Sequence, residues 1–259
     1  MVILITGASS GIGRKLVLYY LDRGHTVAAV ARRKEKLAEL YLEAPTQLGK
    51  LKIYPADVTN KRQIAEVITE IEKDLGAIDL VIANAGIVHQ QLTANLDLEA
   101  FDRLMQTNVM GVFNTIVPAI EVMMQRGCGQ IAAISSLAAF HPIPRIGTYC
   151  ASKAALNYQL TGLYWTLKPY GIDVTTICPG FITTEMTVGQ QVPKNWCLEI
   201  DGAVAKIARA IAQKRRLYCF PFWQQQLNDI LGILPDAIKG FVFNVLIEKA
   251  FPRPNFFNA

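Results

Sequence analysis

The chain has 259 residues, of which 51% are hydrophobic and 18% charged, and its formal net charge is +5. This composition can supply one large buried core and excludes a disordered chain. Residues 203–259 hold eight Lys or Arg against three Asp or Glu, whereas residues 1–202 are balanced. A basic segment can contact nucleic acid or an anionic membrane surface, but no nucleic-acid-binding motif accompanies this one, so we expect no nucleic-acid partner.

The cysteines are odd in number and contain no C-x-x-C pair: Cys128, Cys150, Cys178, Cys197 and Cys219. They fit reduced thiols in a cytoplasm better than disulfides or a zinc site, and the histidines form no metal-binding pattern. The first strand-like run begins at Val2, and no eighteen consecutive residues are all apolar. We therefore expect a cytoplasmic protein without a cleaved leader, a spanning helix or a metal.

Short apolar runs alternate with longer polar stretches along most of the chain. The predicted strands are Val2–Thr6, Thr26–Ala31, Leu51–Tyr54, Leu80–Ala83, Ile131–Ser135, Val174–Cys178 and Leu217–Phe220. Between two of them, Ile64, Val67, Ile68 and Ile71 recur at the spacing of an amphipathic helix. This alternation predicts an α/β fold: a doubly wound, Rossmann-type parallel sheet of about seven strands with helices on both faces.

The last part of the chain has a different pattern. Asp201 is predicted to cap a helix over Gly202–Gln213. After Pro221, two helical stretches follow without a strand between them. Their apolar stripes are Leu227, Ile230, Leu231 and Leu234, then Ile238, Phe241, Val242 and Val245. The second stretch is apolar nearly all round, so we expect it to be buried against its own core or a partner subunit. The alternative is a membrane surface.

A glycine-rich loop follows the first strand and opens a helix. Its sequence, from Thr6 to Gly13, is T-G-A-S-S-G-I-G. Glycines let the chain turn sharply and let backbone N–H groups approach a pyrophosphate, while the helix presents its positive end to the anion. The loop therefore predicts a dinucleotide site.

This loop resembles that of the classical short-chain dehydrogenase/reductase family, and the resemblance continues in order to residue 220. The matching motifs are Asp57-Val58, Asn84-Ala85-Gly86, Asn108, Ser136 with Tyr149 and Lys153, and Pro179-Gly180. The resemblance implies a nicotinamide-dependent oxidoreductase. It divides the chain into a cofactor-binding and catalytic domain, residues 1–220, and a helical extension, residues 221–259, packed on that domain.

The resemblance also implies roles for single residues. The catalytic set is Asn108, Ser136, Tyr149 and Lys153. In it Lys153 also holds the nicotinamide ribose, Ser136 bonds the substrate oxygen and Asn108 keeps a water. The cofactor-binding set is Gly7, Ser9, Ser10, Gly11, Ile12, Gly13, Arg32, Arg33, Asp57, Val58, Asn84, Ala85, Gly86, Tyr149, Lys153, Pro179, Gly180, Ile182 and Thr184. Asp57 is expected near the adenine ring.

Tyr149 and Lys153 are four residues apart, so on a helix they share one face. A free tyrosine has a pKa of about 10 and is a poor acid–base catalyst at neutral pH. We expect the ammonium of Lys153, together with the oxidised nicotinamide ring, to lower the pKa of Tyr149. Ser135 is the other candidate for the serine role, but as the neighbour of Ser136 on a strand it should point to the opposite face.

The end of the second strand favours NADP over NAD. Ala31 stands where NAD-binding members of the family tend to carry Asp, and Arg32 and Arg33 follow. A guanidinium can grip a phosphate by two parallel bonds. The alternative is that these arginines form a solvated basic surface, and the sequence favours this alternative more for Arg33 than for Arg32.

Two other functions remain open at this point. One is a nucleotide-binding scaffold without chemistry, which the intact Asn108, Ser136, Tyr149 and Lys153 argue against. The other is an epimerase or dehydratase of the extended relatives, whose glycine spacing is tighter. Apolar residues of the segments Ser136–Pro144 and Phe181–Leu198 suggest an apolar substrate. In the family, the Tyr149 helix and the one before it pair across a two-fold axis, which implies a homodimer or homotetramer.

Overall fold

The computed structural model describes residues 1–44, 49–89, 97–187 and 194–241. Within them, seven strands form one sheet in the order β3-β2-β1-β4-β5-β6-β7, and all neighbours are parallel. The strands are β1 (Val2–Thr6), β2 (Thr26–Ala31), β3 (Lys50–Pro55), β4 (Ile78–Ala83), β5 (Gly129–Ile134), β6 (Ile172–Pro179) and β7 (Leu217–Phe220). The expected doubly wound parallel sheet is confirmed.

Helices cover both faces of the sheet. They are α1 (Gly11–Leu21), α2 (Lys34–Glu43), α3 (Lys61–Leu75), α4 (Leu98–Met105), α5 (Gly111–Arg126), α6 (Gly147–Leu167), α7 (Ile200–Ala212) and α8 (Phe222–Ile233). Apolar residues of α1, α2 and α7 form one core layer, and those of α3, α5 and α6 form the other. A π-helical turn, Gln106–Met110, joins α4 to α5.

Burial on both faces explains why the strands are apolar throughout. Ile3 and Ile5 of β1 point into the layer that contains α1, and Leu4 points into the opposite layer. Strands covered on both sides need no polar alternation. The stripe predicted on α3 is buried at all four positions, and Asn60 caps the helix by accepting a hydrogen bond from the backbone N–H of Gln63.

The start of α7 differs from the prediction. The helix begins at Ile200, and its N-cap residue is Glu199, whose side chain makes no capping bond. Asp201 lies in the first turn, with its Oδ1 2.9 Å from Nζ of Lys15 on α1. The predicted Asp201 cap is therefore wrong, because the helix starts earlier. The carboxylate still lies at the end where the helix dipole favours a negative charge.

The apolar stripes after Pro221 are only partly buried. On α8, Leu231 is 5% exposed, whereas Ile230 is 53% exposed, so the predicted stripe does not face one layer. In the helical residues 236–241, Ile238 and Phe241 are exposed, contrary to the expected burial on nearly every side. The other members of the second stripe, Val242 and Val245, lie outside the described residues.

The helical run Leu98–Arg126, through α4, the π-turn and α5, is long and apolar enough to cross a membrane by length and composition. Core helices of proteins pass the same test, and half of the apolar window of this run is buried in the fold.

The strand order changes direction at β1, which has β2 on one side and β4 on the other. In open parallel sheets, ligands bind where the carboxyl ends of such strands diverge.

Candidate active site

A cleft of about 730 Å³ opens at the carboxyl ends of the strands. Most of the predicted site residues line it. Those from the first half of the chain are Gly7, Ser9, Ser10, Gly11, Ile12, Arg32, Arg33, Val58, Asn84, Ala85 and Gly86. Those from the second half are Ser136, Tyr149, Lys153, Pro179, Gly180, Ile182 and Thr184. The exceptions are Gly13, Asp57 and Asn108, which are not among the residues that line the cleft.

Glycine is required at two positions of the loop after β1. Gly7 has a φ of +67°, and a Cβ there would lie 2.8 Å from Nδ2 of Asn84. A Cβ on Gly13 would lie 2.3 Å from the carbonyl oxygen of Gly7. Asn84 braces this turn, because its Nδ2 donates to the carbonyl oxygen of Thr6 at 3.0 Å. The loop is thus packed tightly against the residues that follow β4.

The N-terminus of α1 faces the cleft without a side-chain cap. Ser10 is its N-cap residue and makes no side-chain capping bond. The first backbone N–H groups of a helix have no partner within the helix and carry its positive end. Together with the glycine turn, they form a cradle of N–H donors that favours an anion such as a pyrophosphate.

The two arginines after β2 make different contacts. Arg33 donates from Nε and Nη2 to Oγ of Ser9, at 3.1 and 3.0 Å, and from Nη2 to Oγ of Ser10 at 2.6 Å. Arg32 instead places Nη1 3.5 Å from Oδ2 of Asp57. Asp57 also accepts from the backbone N–H and the hydroxyl of Thr59, both at 2.9 Å. Arg33 therefore contacts the loop directly, and Arg32 lies against the turn after β3.

The far end of the cleft holds Ser136, Tyr149 and Lys153. Ser136 follows β5 and hydrogen-bonds with Tyr149, and its Oγ also accepts from the backbone N–H of Ala138 at 3.1 Å. One turn along α6 from Tyr149, Lys153 has its Nζ 5.8 Å from the centre of the tyrosine ring. Its ammonium donates to the carbonyl oxygen of Ile134 at 2.8 Å. The hydroxyls and the amine thus meet on one wall.

Burial dominates the electrostatics of this wall. It raises the pKa of Tyr149 to about 12, an effect that the hydrogen bond with Ser136 opposes. It lowers the pKa of Lys153 to about 8, since an ammonium loses solvation there. The expected lowering of the Tyr149 pKa is absent in the protein alone. The ammonium of Lys153 lies beside the tyrosine ring and not at the hydroxyl. It therefore does not offset the unfavourable free energy of removing a phenolate from water.

Asn108 is fully buried in the π-helical turn and positions the wall from behind. Its Oδ1 accepts from the backbone N–H of Ile87 at 2.8 Å, and its Nδ2 donates to the Ile87 carbonyl oxygen at 2.9 Å and to Oγ of Ser152 at 3.1 Å. The side chain therefore ties the segment after β4 to α6. Its predicted role of keeping a water remains a prediction.

Ser135 and Ser136 both follow β5, and both line the cleft. The hydroxyl of Ser135 is buried and lies 3.4 Å from the carbonyl oxygen of Lys153. Ser136, the next residue, hydrogen-bonds with Tyr149. The two hydroxyls thus have different partners, and the choice of Ser136 for the serine role remains a prediction.

The sequence analysis did not identify one wall of the cleft. Residues of α8 line it, at the helical spacing i, i+3, i+4 and i+7: Gln224, Leu227, Asn228 and Leu231. Gln224 donates from Nε2 to the Trp196 carbonyl oxygen at 2.8 Å, and Asn228 donates from Nδ2 to the Leu137 carbonyl oxygen at 3.1 Å. The spacing was visible in the sequence, but alternating amides and leucines do not form an apolar stripe. His141 and Glu185, which belong to the two segments expected near the substrate, also line the cleft as polar residues.

The apolar segments suggested for the substrate do reach the cleft. Phe181, Ile182, Met186 and Trp196 line it, and Val188 lies outside the described residues. The described residues contain no cluster of three or more potential metal ligands.

Comparison with known proteins gives consistent matches. Residues 1–194 match the family model described as short chain dehydrogenase. An oxidoreductase of Myxococcus xanthus, itself uncharacterized, is 34% identical over 235 residues, covering 91% of this chain and 93% of the relative. The 3-oxoacyl-[acyl-carrier-protein] reductase FabG of Thermotoga maritima is 36% identical over 186 residues, covering 72% of this chain and 76% of the relative. The crystal structure of a short-chain type dehydrogenase/reductase from Mycobacterium marinum gives a TM-score of 0.77 at 30% identity, covering 85% of this chain and 93% of that one.

Proposed function

The chain belongs to the short-chain dehydrogenase/reductase family of NAD(P)-dependent oxidoreductases, and we propose that it interconverts a ketone or aldehyde and an alcohol with NADP. The observation that carries this proposal is the meeting of Ser136, Tyr149 and Lys153 on one wall of the cleft. The opposite end of the same cleft is the glycine-rich cradle at the start of α1. A dinucleotide that spans the cleft would bring its reactive end to these side chains.

In the reducing direction, the nicotinamide would supply a hydride to the carbonyl carbon. Tyr149 gives its hydroxyl proton to the carbonyl oxygen, and Ser136 holds that oxygen by a hydrogen bond. The phenolate left on Tyr149 then takes a proton from solvent, with the ammonium of Lys153 nearby. At neutral pH Tyr149 carries its proton, and the ammonium of Lys153 together with the positive charge that would develop on the nicotinamide would stabilise the phenolate as that proton leaves.

NADP is supported by the charges at the end of β2. No carboxylate stands at Ala31 to accept a bond from a ribose 2′-OH, and the guanidinium groups of Arg32 and Arg33 both line the cleft. Arg33 is already turned toward the loop by Ser9 and Ser10. A 2′-phosphate bound there would accept charge-assisted hydrogen bonds from it.

The substrate is proposed to be apolar. Leu137, Ile143, Phe181, Leu227 and Leu231 line the same cleft as Tyr149. Changing Leu227 to Asn should raise the KM for an apolar ketone and leave the Kd for NADPH unchanged, since the side chain lies on α8. Equal effects on both constants would contradict the assignment of α8 to the substrate end.

We also propose that the protein acts in the cytoplasm as a homodimer or homotetramer. The five free cysteines support a reducing compartment. On α6, Leu156, Leu160 and Leu167 are buried in the chain's own core and offer no surface for assembly. Other apolar side chains on α4 and α6 are exposed, namely Leu98, Phe101, Tyr158 and Trp165. These exposed side chains support the proposed assembly into a homo-oligomer.

The deciding experiment is NADPH oxidation by the purified chain against a panel of ketones and aldehydes, with NADPH binding measured in parallel. The Tyr149→Phe variant is the matched control, because it removes one hydroxyl. Turnover in the parent and not in the variant, with equal NADPH binding, is the expected result. Binding without turnover of any carbonyl in either protein would favour a nucleotide-binding scaffold.

A further inference from the structure

An ion pair crosses the mouth of the cleft at the end where the adenosine would lie. Nη1 of Arg33, after β2, is 3.4 Å from Oε2 of Glu185, which follows β6 in the chain by several residues. Both side chains line the cleft and are about half exposed. The pair therefore joins the proposed phosphate-binding arginine to the segment that covers the cleft.

The three acceptors on Arg33 differ in charge. The hydroxyls of Ser9 and Ser10 occupy Nε and Nη2 and fix the plane of the guanidinium. The carboxylate of Glu185 accepts a hydrogen bond from Nη1. A carboxylate and a phosphate seek the same N–H donors and repel each other when both are close.

The backbone that carries Glu185 is held in place. The hydroxyl of Thr187 lies within hydrogen-bond distance of the carbonyl oxygens of Ile182 and Thr184, at 3.0 and 2.9 Å, and accepts from the backbone N–H of Thr184 at 2.9 Å. Because this turn is braced, only the side chain of Glu185 has to rotate to release Arg33.

We propose that Glu185 is a specificity-determining residue that competes with the 2′-phosphate of NADP for Arg33. NADP binding exchanges the carboxylate on Arg33 for the phosphate, whereas NAD, which lacks that phosphate, leaves the pair intact. Glu185 thereby reduces the chain's preference for NADP over NAD. The inference rests on the proposed use of NADP, and it assigns the residue that moderates that choice.

The test uses Glu185→Gln, which keeps the shape of the side chain and removes its charge. NADPH and NADH are titrated separately into the purified, cofactor-free full-length protein. The Kd for NADPH should fall about two- to fivefold, the range expected from releasing an exposed ion pair, and the Kd for NADH should stay the same. The gain should shrink in high salt, because exposed charges are screened.

Two further variants distinguish the direct contact between Glu185 and Arg33 from a general effect of the protein's net charge. Glu66→Gln breaks the ion pair with Arg62 on α3 and gives the same change in net charge, and it should leave both constants unchanged. In an Arg33→Ala background, Glu185→Gln should no longer improve NADPH binding. An unchanged NADPH Kd in Glu185→Gln, or an equal gain without Arg33, overturns the inference. A parent that prefers NADH contradicts the NADP proposal, yet an NADPH-specific gain in Glu185→Gln would still uphold the competition.

Discussion

Lys153 lies one helical turn beyond Tyr149, with its ammonium 5.8 Å from the centre of the tyrosine ring and bonded to the carbonyl oxygen of Ile134. This places the amine beside the ring and not on the hydroxyl. The hydroxyl instead hydrogen-bonds with Ser136. The two side chains are therefore suited to different tasks, proton transfer for Tyr149 and charge and cofactor placement for Lys153.

Tyr149→Phe should bind NADPH nearly as well as the parent and lose about 10²–10⁴-fold in kcat, the usual contribution of a general acid. Lys153→Ala should weaken both binding and turnover, because the amine faces the cleft from the same wall. Fluorescence titration and steady-state kinetics on both variants check this. Substantial turnover by Tyr149→Phe would show that another group supplies the proton.

Lys153 should contribute an increase in the stability of the cofactor-free protein between pH 7.5 and 9.5. The pKa of Lys153 is lowered to about 8 in the fold, while in the unfolded chain it is about 10.4. Between these values the unfolded state binds more protons at this group, so its contribution to the free energy of unfolding increases with pH, by about 2 kcal/mol over this range. The raised pKa of Tyr149 acts only above pH 10. Burial also raises the pKa of the Cys150 and Cys197 thiols, which opposes the increase equally with and without Lys153.

Urea unfolding at the two pH values measures this change, and Lys153→Met is the control. In that variant the increase should disappear, because the titrating amine is gone. An equal increase in parent and variant would assign the effect to other groups.

Arg33→Ala should weaken NADPH binding more than Arg32→Ala does. Arg33 is oriented by Ser9 and Ser10, whereas Arg32 lies against Asp57. Loss of a hydrogen bond to a charged group costs about 1.5–3 kcal/mol, which corresponds to roughly 10- to 150-fold in Kd. NADH binding should change little in either variant. A larger loss for Arg32→Ala would restore the order that the sequence analysis favoured.

Exposed apolar side chains on α4 and α6 should mediate self-association. Leu98, Phe101, Tyr158 and Trp165 are 71%, 40%, 83% and 62% exposed. Phe101→Glu combined with Trp165→Glu should shift the protein toward monomer in sedimentation velocity, because burying a new charge is costly. Tyr41→Glu, a similar change on α2 at the other face of the sheet, should not. A parent that is monomeric at every concentration would contradict the proposed assembly.

Truncation after Phe222 should destabilise the fold. It removes the buried side chains of Gln224 and Leu231, and a buried leucine alone contributes about 1.5–3 kcal/mol. Thermal unfolding measures the loss of stability.

We expect no binding of the parent protein to anionic vesicles in co-sedimentation. Salt-sensitive binding that vanishes on truncation would instead assign the exposed face of α8 to a membrane surface.

The sequence alone predicts the sheet and brings two of the candidate catalytic residues together. Apolar runs at regular intervals predict strands buried on both faces, and Y-x-x-x-K places Tyr149 and Lys153 on one side of a helix. These features follow from the periodicity of the backbone within single segments.

The tertiary structure decided what depends on distant partners. Arg32 and Arg33 are neighbours in the chain, and only the approach of Ser9 and Ser10 from another loop distinguishes them. The sign of the Tyr149 pKa shift depends on how much protein surrounds the hydroxyl. The wall of the cleft that α8 forms depends on this helix packing against β7 and the short turn Leu137–Ala139. Burial and long-range contacts set these features, and no pattern within a single segment encodes them.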